Sequence, residues 1–384
     1  MFRKSNIKIF NSVAAAVLLV FLFSPLTSCS SPKLKVAFYQ IPESTQKILT
    51  EEISTIAGRD VKSITLDPEL PLTTKQTKKC DLLFTYNSRS LIDLNPKQIS
   101  EETLNYLPSK IRYSVIQNNQ FYALPVLLDH FELAVYSTYA NELSLPAPQT
   151  YETFKENLIK LKQLTQYPLI VIGSDDVELL GFISAMTQSM YGVNEYFEIC
   201  SELNKAQLRN EELPYRLRVV LDEIKDLSVK GLIHRGWLEL TFKDTEFLMK
   251  EHLIGSIATY LRTHRQISFN LIKYYDSYIF PQHTDTQSGL ITPEICAAKL
   301  SDFSDSERIL EELVKNNSQT SLSEKTMLAP AASVAQSSDA QSDDVRYWSA
   351  SIYGGPVPCL TEASFTSPQQ MHVYAAKIRD YLKP

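Results

Sequence analysis

From Leu34 the chain reads Leu-Lys-Val-Ala-Phe-Tyr-Gln, a compact apolar run that predicts a buried first strand. Ile48, Leu49, Ile53 and Ile56 then recur at helical spacing. Gly58 follows where a helix end favours a positive φ. Residues 61 to 66 read as a second strand. The opening is therefore β-α-β, the pattern of a parallel sheet with a right-handed crossover. Further strands are predicted at residues 81 to 86, 121 to 126, 131 to 136 and 168 to 173. Between and after them, Phe154, Leu158, Leu161 and Leu164 form one helical stripe beginning near Thr150, and Leu217, Val220, Leu221, Ile224 and Leu227 form another that stops at Gly231. Met371, Tyr374, Ala375, Ile378, Tyr381 and Leu382 make a final amphipathic helix over Pro368 to Leu382. Alternating helices and strands over this length predict an α/β architecture in two lobes. The small, polar stretch at residues 329 to 344 reads as a surface connection or weakly ordered segment rather than core.

The N-terminus follows another pattern. Arg3, Lys4 and Lys8 precede an unbroken apolar run from Val13 to Phe23, the order of a secretory leader. Eleven apolar residues are too few to span a hydrocarbon core that needs about 20 helical residues. Leu26-Thr27-Ser28-Cys29 resembles the bacterial lipobox, so cleavage is expected before Cys29, with a diacylglyceryl thioether and an N-acyl group, such as palmitate, on that residue. Residues 1 to 28 are then a lipoprotein signal peptide and 29 to 33 a tether. The product is exported and held on a membrane facing the periplasm or exterior.

Loss of the leader takes the formal charge from −6 to −9, which argues against nucleic acid as a partner. Cys80, Cys200, Cys296 and Cys359 fit no zinc spacing, and their pairing, if any, stays open, with buried free thiols the default. The chain lacks Gly-x-Ser-x-Gly, His-Glu-x-x-His, a phosphate loop and Gly-x-Gly-x-x-Gly. Ser174-Asp175-Asp176 is the nearest approach to an acid cluster and reads as a solvated loop. No catalytic residue and no metal is expected, and attention moves to binding.

Phe121-Tyr-Ala-Leu-Pro-Val-Leu-Leu-Asp-His-Phe-Glu-Leu-Ala-Val-Tyr-Ser resembles the lobe crossover of extracellular solute-binding proteins of ABC importers, in the family-1, maltose-binding-protein-like branch. Leu143-Ser-Leu-Pro-Ala-Pro-Gln-Thr-Tyr-Glu-Thr-Phe is similar to that family's Pro-x-Thr-Trp-x-Glu-Leu helix start, with Tyr151 in place of tryptophan. Phe247-Leu-Met-Lys-Glu-His-Leu-Ile-Gly-Ser-Ile-Ala resembles its Phe-x-x-Gly-x-x-Ala-Met segment, and Gly355-Pro-Val-Pro its late Gly-x-x-Pro. The chain departs from the pattern at Glu251-His252, where the family has glycine. The resemblance implies a periplasmic-binding-protein type II fold with discontinuous lobes and a ligand cleft. Lobe 1 would comprise residues 34 to 128 and 290 to 325, and lobe 2 residues 132 to 286 and 330 to 384. Crossings are expected near 128 to 132, 286 to 290 and 323 to 330.

The resemblance further implies a lipid-anchored monomer that captures a small solute, a carbohydrate, and delivers it to ABC permease subunits. A surface lipoprotein on the same scaffold contacting a protein partner is the alternative. The ligand-binding residues expected are Tyr39 and Gln40 at the end of the first strand, Asn87 and Ser88 at the end of the third, Asp129 and His130 at the first crossing, Tyr260 and Arg262 from the second lobe, and Phe365. Tyrosine faces stack on sugar rings while amides and carboxylates bond their hydroxyls. Arg262 would suit an anionic ligand.

Overall fold

The computed structural model describes residues 33 to 383 except 210, 285 to 288 and 333. The leader and the lipidation at Cys29 lie outside the described residues. Among the described residues there are fourteen strands: β1 (Lys35–Phe38), β2 (Lys62–Thr65), β3 (Leu82–Tyr86), β4 (Ile116–Gln117), β5 (Gln120–Phe121), β6 (Leu124–Leu128), β7 (Phe131–Tyr136), β8 (Tyr167–Val171), β9 (Ile254–Tyr260), β10 (Tyr275–Ile279), β11 (Leu290–Ile291), β12 (Glu294–Lys299), β13 (Ala329–Pro330) and β14 (Pro356–Val357). They build two main sheets, ordered β13-β6-β12-β3-β1-β2 and β10-β7-β9-β8. β1 runs parallel to β2 and β3, while β12 runs antiparallel to β3 and β6. The second sheet is antiparallel except for the β8–β9 pair. The result is a mixed α/β architecture built on two sheets.

Each lobe has its own core. The first joins Leu34, just before β1, and Val36 and Phe38 of β1 to Leu82 and Phe84 of β3, Leu127 of β6 and Ile295 of β12. The second gathers Phe131, Leu133, Phe182, Tyr196, Trp237 and the C-terminal Tyr374 and Ile378. The helix Glu43–Ala57 buries Leu49 and Ile53 against the first sheet and ends at Gly58, whose φ of 66° lets its N–H turn back onto Thr55. In the second lobe, Thr150 caps the helix Tyr151–Leu161 by accepting the Thr153 N–H, and Ser367 does the same for Pro368–Leu382. The long helix Asp176–Arg209 follows β8 and breaks at Gly192, where φ is 79°.

Between β6 and β7 the chain passes from one core to the other at Asp129-His130, and between β11 and β12 at Thr292-Pro293. The third passage departs from expectation. Residues 326 to 351 stay in the first lobe: β13 pairs with β6, and Ala331, Ala332, Ala335 and Val345 are fully buried in the first core. The chain crosses only after the helix Ala340–Ser351, just before β14. The small-residue stretch expected on the surface is therefore partly core. Alanines at 331 and 332 let the backbone approach Gln319, whose Oε1 accepts both their N–H groups at 2.9 and 3.1 Å. The buried amide reinforces the Ala331 N–H, which also reaches the Val126 carbonyl of β6 at 3.3 Å, and supplies an acceptor for the Ala332 N–H beyond the end of β13. Among the described residues, Cys80, Cys200, Cys296 and Cys359 are free and buried.

Candidate functional site

A cleft of about 590 Å³ opens between the lobes. The first lobe contributes the loops after β1 and β3, including Tyr39, Gln40, Tyr86, Ser88 and Ser90. The second contributes Ser174, Asp175 and Glu178 at the start of the long helix, Phe242 ahead of β9, Arg262, Thr263 and Gln266 after β9, and Thr361, Glu362 and Phe365 beyond β14. Carboxyl ends of parallel strands converge here, because helices packed on both sides of a sheet leave a crevice at the strand ends.

Five of the nine expected ligand residues line this cleft. Tyr39 is almost fully buried, with its hydroxyl donating to the Leu70 carbonyl at 2.9 Å. Gln40 is exposed at the rim with φ 57°. The Ser88 hydroxyl accepts the Leu91 N–H at the start of the helix Arg89–Asp93, so it shapes the loop as well as facing the cleft. Phe365 presents a buried ring, and Arg262 reaches across toward the first lobe.

Asn87, Asp129, His130 and Tyr260 do not line the cleft. Asn87 turns inward, donating to Glu294 Oε2 at 2.7 Å and accepting the Tyr122 hydroxyl at 2.6 Å. Asp129 is fully buried and pairs with Arg262 at 2.9 Å, while accepting the backbone N–H groups of His130 and Arg262. His130 sits beneath Trp348, with ring centroids 5.9 Å apart, and burial pushes its pKa down to about 4. Tyr260 stacks edge-on against Phe131 at 5.0 Å, inside the second core. The strand-end position of these residues was legible, but the direction of each side chain depends on neighbours far away in the chain.

Arg262 organises the floor of the cleft. Its guanidinium donates to Asp129 Oδ2 and, at 3.1 Å, to the Tyr86 hydroxyl, and lies 4.3 Å from the Tyr260 ring centroid. The charge is thus already matched by Asp129, which removes the expected attraction for an anionic solute.

Two carboxylates on this floor escaped the sequence reading. Glu178 accepts the Thr259 hydroxyl at 3.0 Å and the Thr263 hydroxyl at 2.5 Å. Glu362 is 8% exposed, and its Oε2 accepts no hydrogen bond among the described residues. Glu178 follows Ser174-Asp175-Asp176, whose Ser174 and Asp175 are exposed as expected of a solvated loop while also lining one wall of the cleft. Asp175 Oδ1 accepts the Val177 and Glu178 N–H groups at 2.8 and 3.0 Å, and Asp176 is tied to Arg379 at 2.5 Å. An acid in the first turn of a helix, immediately before the apolar run that begins at Leu179, was the available signal.

Burial pushes the Glu178, Glu362 and Glu294 carboxyls up to about 7. An acid whose folded pKa is raised binds its proton more tightly when folded, so stability rises as pH falls through 7. From pH 8 to 6.5 the three together should add on the order of 2 kcal/mol. Below 6.5 the buried neutral His130 opposes the trend, because only the unfolded chain takes up its proton there. Urea midpoints should therefore be higher at pH 6.5 than at pH 8, and Glu178→Gln with Glu294→Gln should flatten most of the difference. Equal midpoints in the parent chain would contradict this placement of the acids.

Among the described residues no group of His, Cys, Asp or Glu is arranged to hold a metal ion, and no helix is long and apolar enough to cross a membrane.

No protein-family model matches the chain, and no curated protein matches it. Solved structures do match over nearly its whole length. The bacterial solute receptor AcbH, described with an exclusive preference for β-D-galactopyranose, aligns with a TM-score of 0.71 at 9% identity, covering 91% of this chain and 96% of its own. A chitin oligosaccharide binding protein aligns at 0.67 and 12% identity, covering 92% and 94%. A sugar transporter of Bacillus licheniformis, solved in complex with stachyose, aligns at 0.62 and 12% identity, covering 91% and 98%. At these identities the likeness establishes the fold: this chain has the two-lobed architecture of periplasmic solute-binding proteins.

Proposed function

We propose that this protein is an exported receptor, anchored by a lipid on Cys29, that captures a small carbohydrate between its lobes and presents it to an ABC permease. The carrying observation is the cleft itself, walled by both lobes and lined by hydroxyls, amides, carboxylates and the rings of Tyr39, Tyr86, Phe242 and Phe365. Aromatic faces take the apolar faces of a pyranose while the polar groups fix its hydroxyls, so the mixed lining suits a polyhydroxylated solute. The galactopyranose preference described for AcbH, the name of the chitin oligosaccharide binding protein and the stachyose complex support the same class. Trp237 and Trp348 belong to the two cores, so tyrosine and phenylalanine supply the stacking surface.

A thermal-shift screen of mono- and oligosaccharides, amino acids and phosphorylated polyols tests the reading. A ligand present at 100 times its Kd stabilises the folded state by about 2.7 kcal/mol, so at least one sugar should raise the Tm by several degrees. A response confined to amino acids, or to none of these, would overturn it. The anchor has a separate test. The exported parent should partition into detergent with the membrane fraction, whereas Cys29→Ala should be released into the aqueous phase. Equal partitioning of both would remove the lipid from the account.

A further inference from the structure

The charges around the cleft do not balance, and the imbalance identifies the solute more closely. Three carboxylates line it, Asp175, Glu178 and Glu362, against one cation, Arg262. That cation is already neutralised by a fourth carboxylate, Asp129, behind the lining. Asp175 is occupied as a helix cap, and both oxygens of Glu178 hold threonine hydroxyls. Glu362 keeps one buried oxygen, Oε2, without a hydrogen-bond partner among the described residues, with Thr361 and the local backbone beside its carboxyl. A buried acceptor without a partner costs free energy until something donates to it. A hydroxyl would fill the hydrogen bond but leave the surplus negative charge. A protonated amine fills the bond and offsets the charge, in a site whose low polarity strengthens the attraction.

Resting on the carbohydrate-receptor reading, we propose that the solute carries a protonated amine, as an amino sugar does, and that Glu362 is the residue that receives it. Glu178 and Asp175 deepen the negative potential around it, and the rings of Phe242 and Phe365 flank the sugar. Acidic sugars are excluded because Arg262 has no charge left to offer them. Burial pushes the Glu362 carboxyl up to about 7, so a cation placed beside it draws the proton off and pairs with the carboxylate.

Isothermal titration at pH 7 tests this with glucosamine and its β-1,4-linked dimer and trimer, each against its N-acetylated counterpart, and with galactose and glucuronate. The amines should bind at least about 10-fold more tightly than the acetylated or neutral sugars, a difference of about 1.4 kcal/mol, and glucuronate should not bind. Glu362→Gln keeps the shape and hydrogen-bond capacity of the side chain without its charge. It should shrink the amine preference to less than about 3-fold, since the charged contact that separates amines from neutral sugars is removed. Neutral sugars binding as well as amines, or a preference that survives Glu362→Gln, would overturn the assignment of the amine while leaving a carbohydrate receptor. Binding of no sugar at all would overturn both.

Discussion

Arg262→Met is expected to lower the unfolding free energy by about 3 to 5 kcal/mol, read as a fall in the urea midpoint. The side chain leaves behind Asp129, which is fully buried and has its remaining partners in two backbone N–H groups. A carboxylate stranded in that position keeps its desolvation penalty and loses the charge that compensated it. The Tyr86 hydroxyl loses its donor as well, which loosens the contact between the third strand and the second lobe. Removing the stranded acid too, in Arg262→Met with Asp129→Leu, should restore most of the loss, because an apolar pair of similar volume carries no such penalty. If the single variant unfolds at the same urea concentration as the parent, the pair does not organise the floor of the cleft. If the double variant is no better than the single, the loss lies in packing rather than in charge.

Glu132→Leu should cost about 3 kcal/mol. Glu132 lies on β7 and is fully buried, with His264 on one side and Gln341 on the other; Gln341 Nε2 reaches its two oxygens at 2.7 and 2.6 Å. The Gln341 amide also donates to Ser277 on β10 at 2.6 Å. Gln341 belongs to the first lobe and the other three to the second, so this polar knot joins the lobes behind the cleft. Arg265 and Asp339 form an ion pair beside it. The contacts with His264 and Gln341 hold the Glu132 carboxyl below the usual carboxylate range, which places its contribution above that range and removes it as acid protonates the group. Small-angle scattering should show that Gln341→Ala, which cuts only the tie between lobes, changes the radius of gyration while leaving far-ultraviolet circular dichroism unchanged. No change in either the stability of Glu132→Leu or the shape of Gln341→Ala would show that the knot does not couple the lobes.

Much of this architecture is readable from periodicity. The stripe Leu217, Val220, Leu221, Ile224 and Leu227 is fully buried in the helix Tyr215–Val229, and Gly231 ends the run with φ 67°. Helix burial follows from residue spacing alone, because side chains three and four apart share a face. The loops after β1 and β3 were correctly placed near the cleft for the same kind of local reason: strand ends in an α/β sheet have few other places to go. Residues whose surroundings come from distant segments were not legible. Asn87 looked like Ser88 in sequence, yet it is held inward by Glu294, more than 200 positions away. Glu178 and Glu362 share no pattern, and only the second lobe's folding brings both onto one wall with Arg262. The alanines at 331 and 332 misled in the opposite sense. Small, polar-flanked sequence has the composition of a linker, but a buried glutamine elsewhere in the chain provides the backbone partners that draw it into the core.

The central claim is that one solute binds between the lobes, and calorimetric titration of the parent and of Gln266→Trp tests it most directly. Gln266 is exposed at the cleft wall, so an indole there fills the cavity without entering either core. The account predicts that a sugar from the screen binds the parent at one site per chain, and that Gln266→Trp, melting at the parent's temperature, binds it at least about 10-fold more weakly. Undiminished binding by Gln266→Trp, or a stoichiometry that does not settle at one, would contradict it.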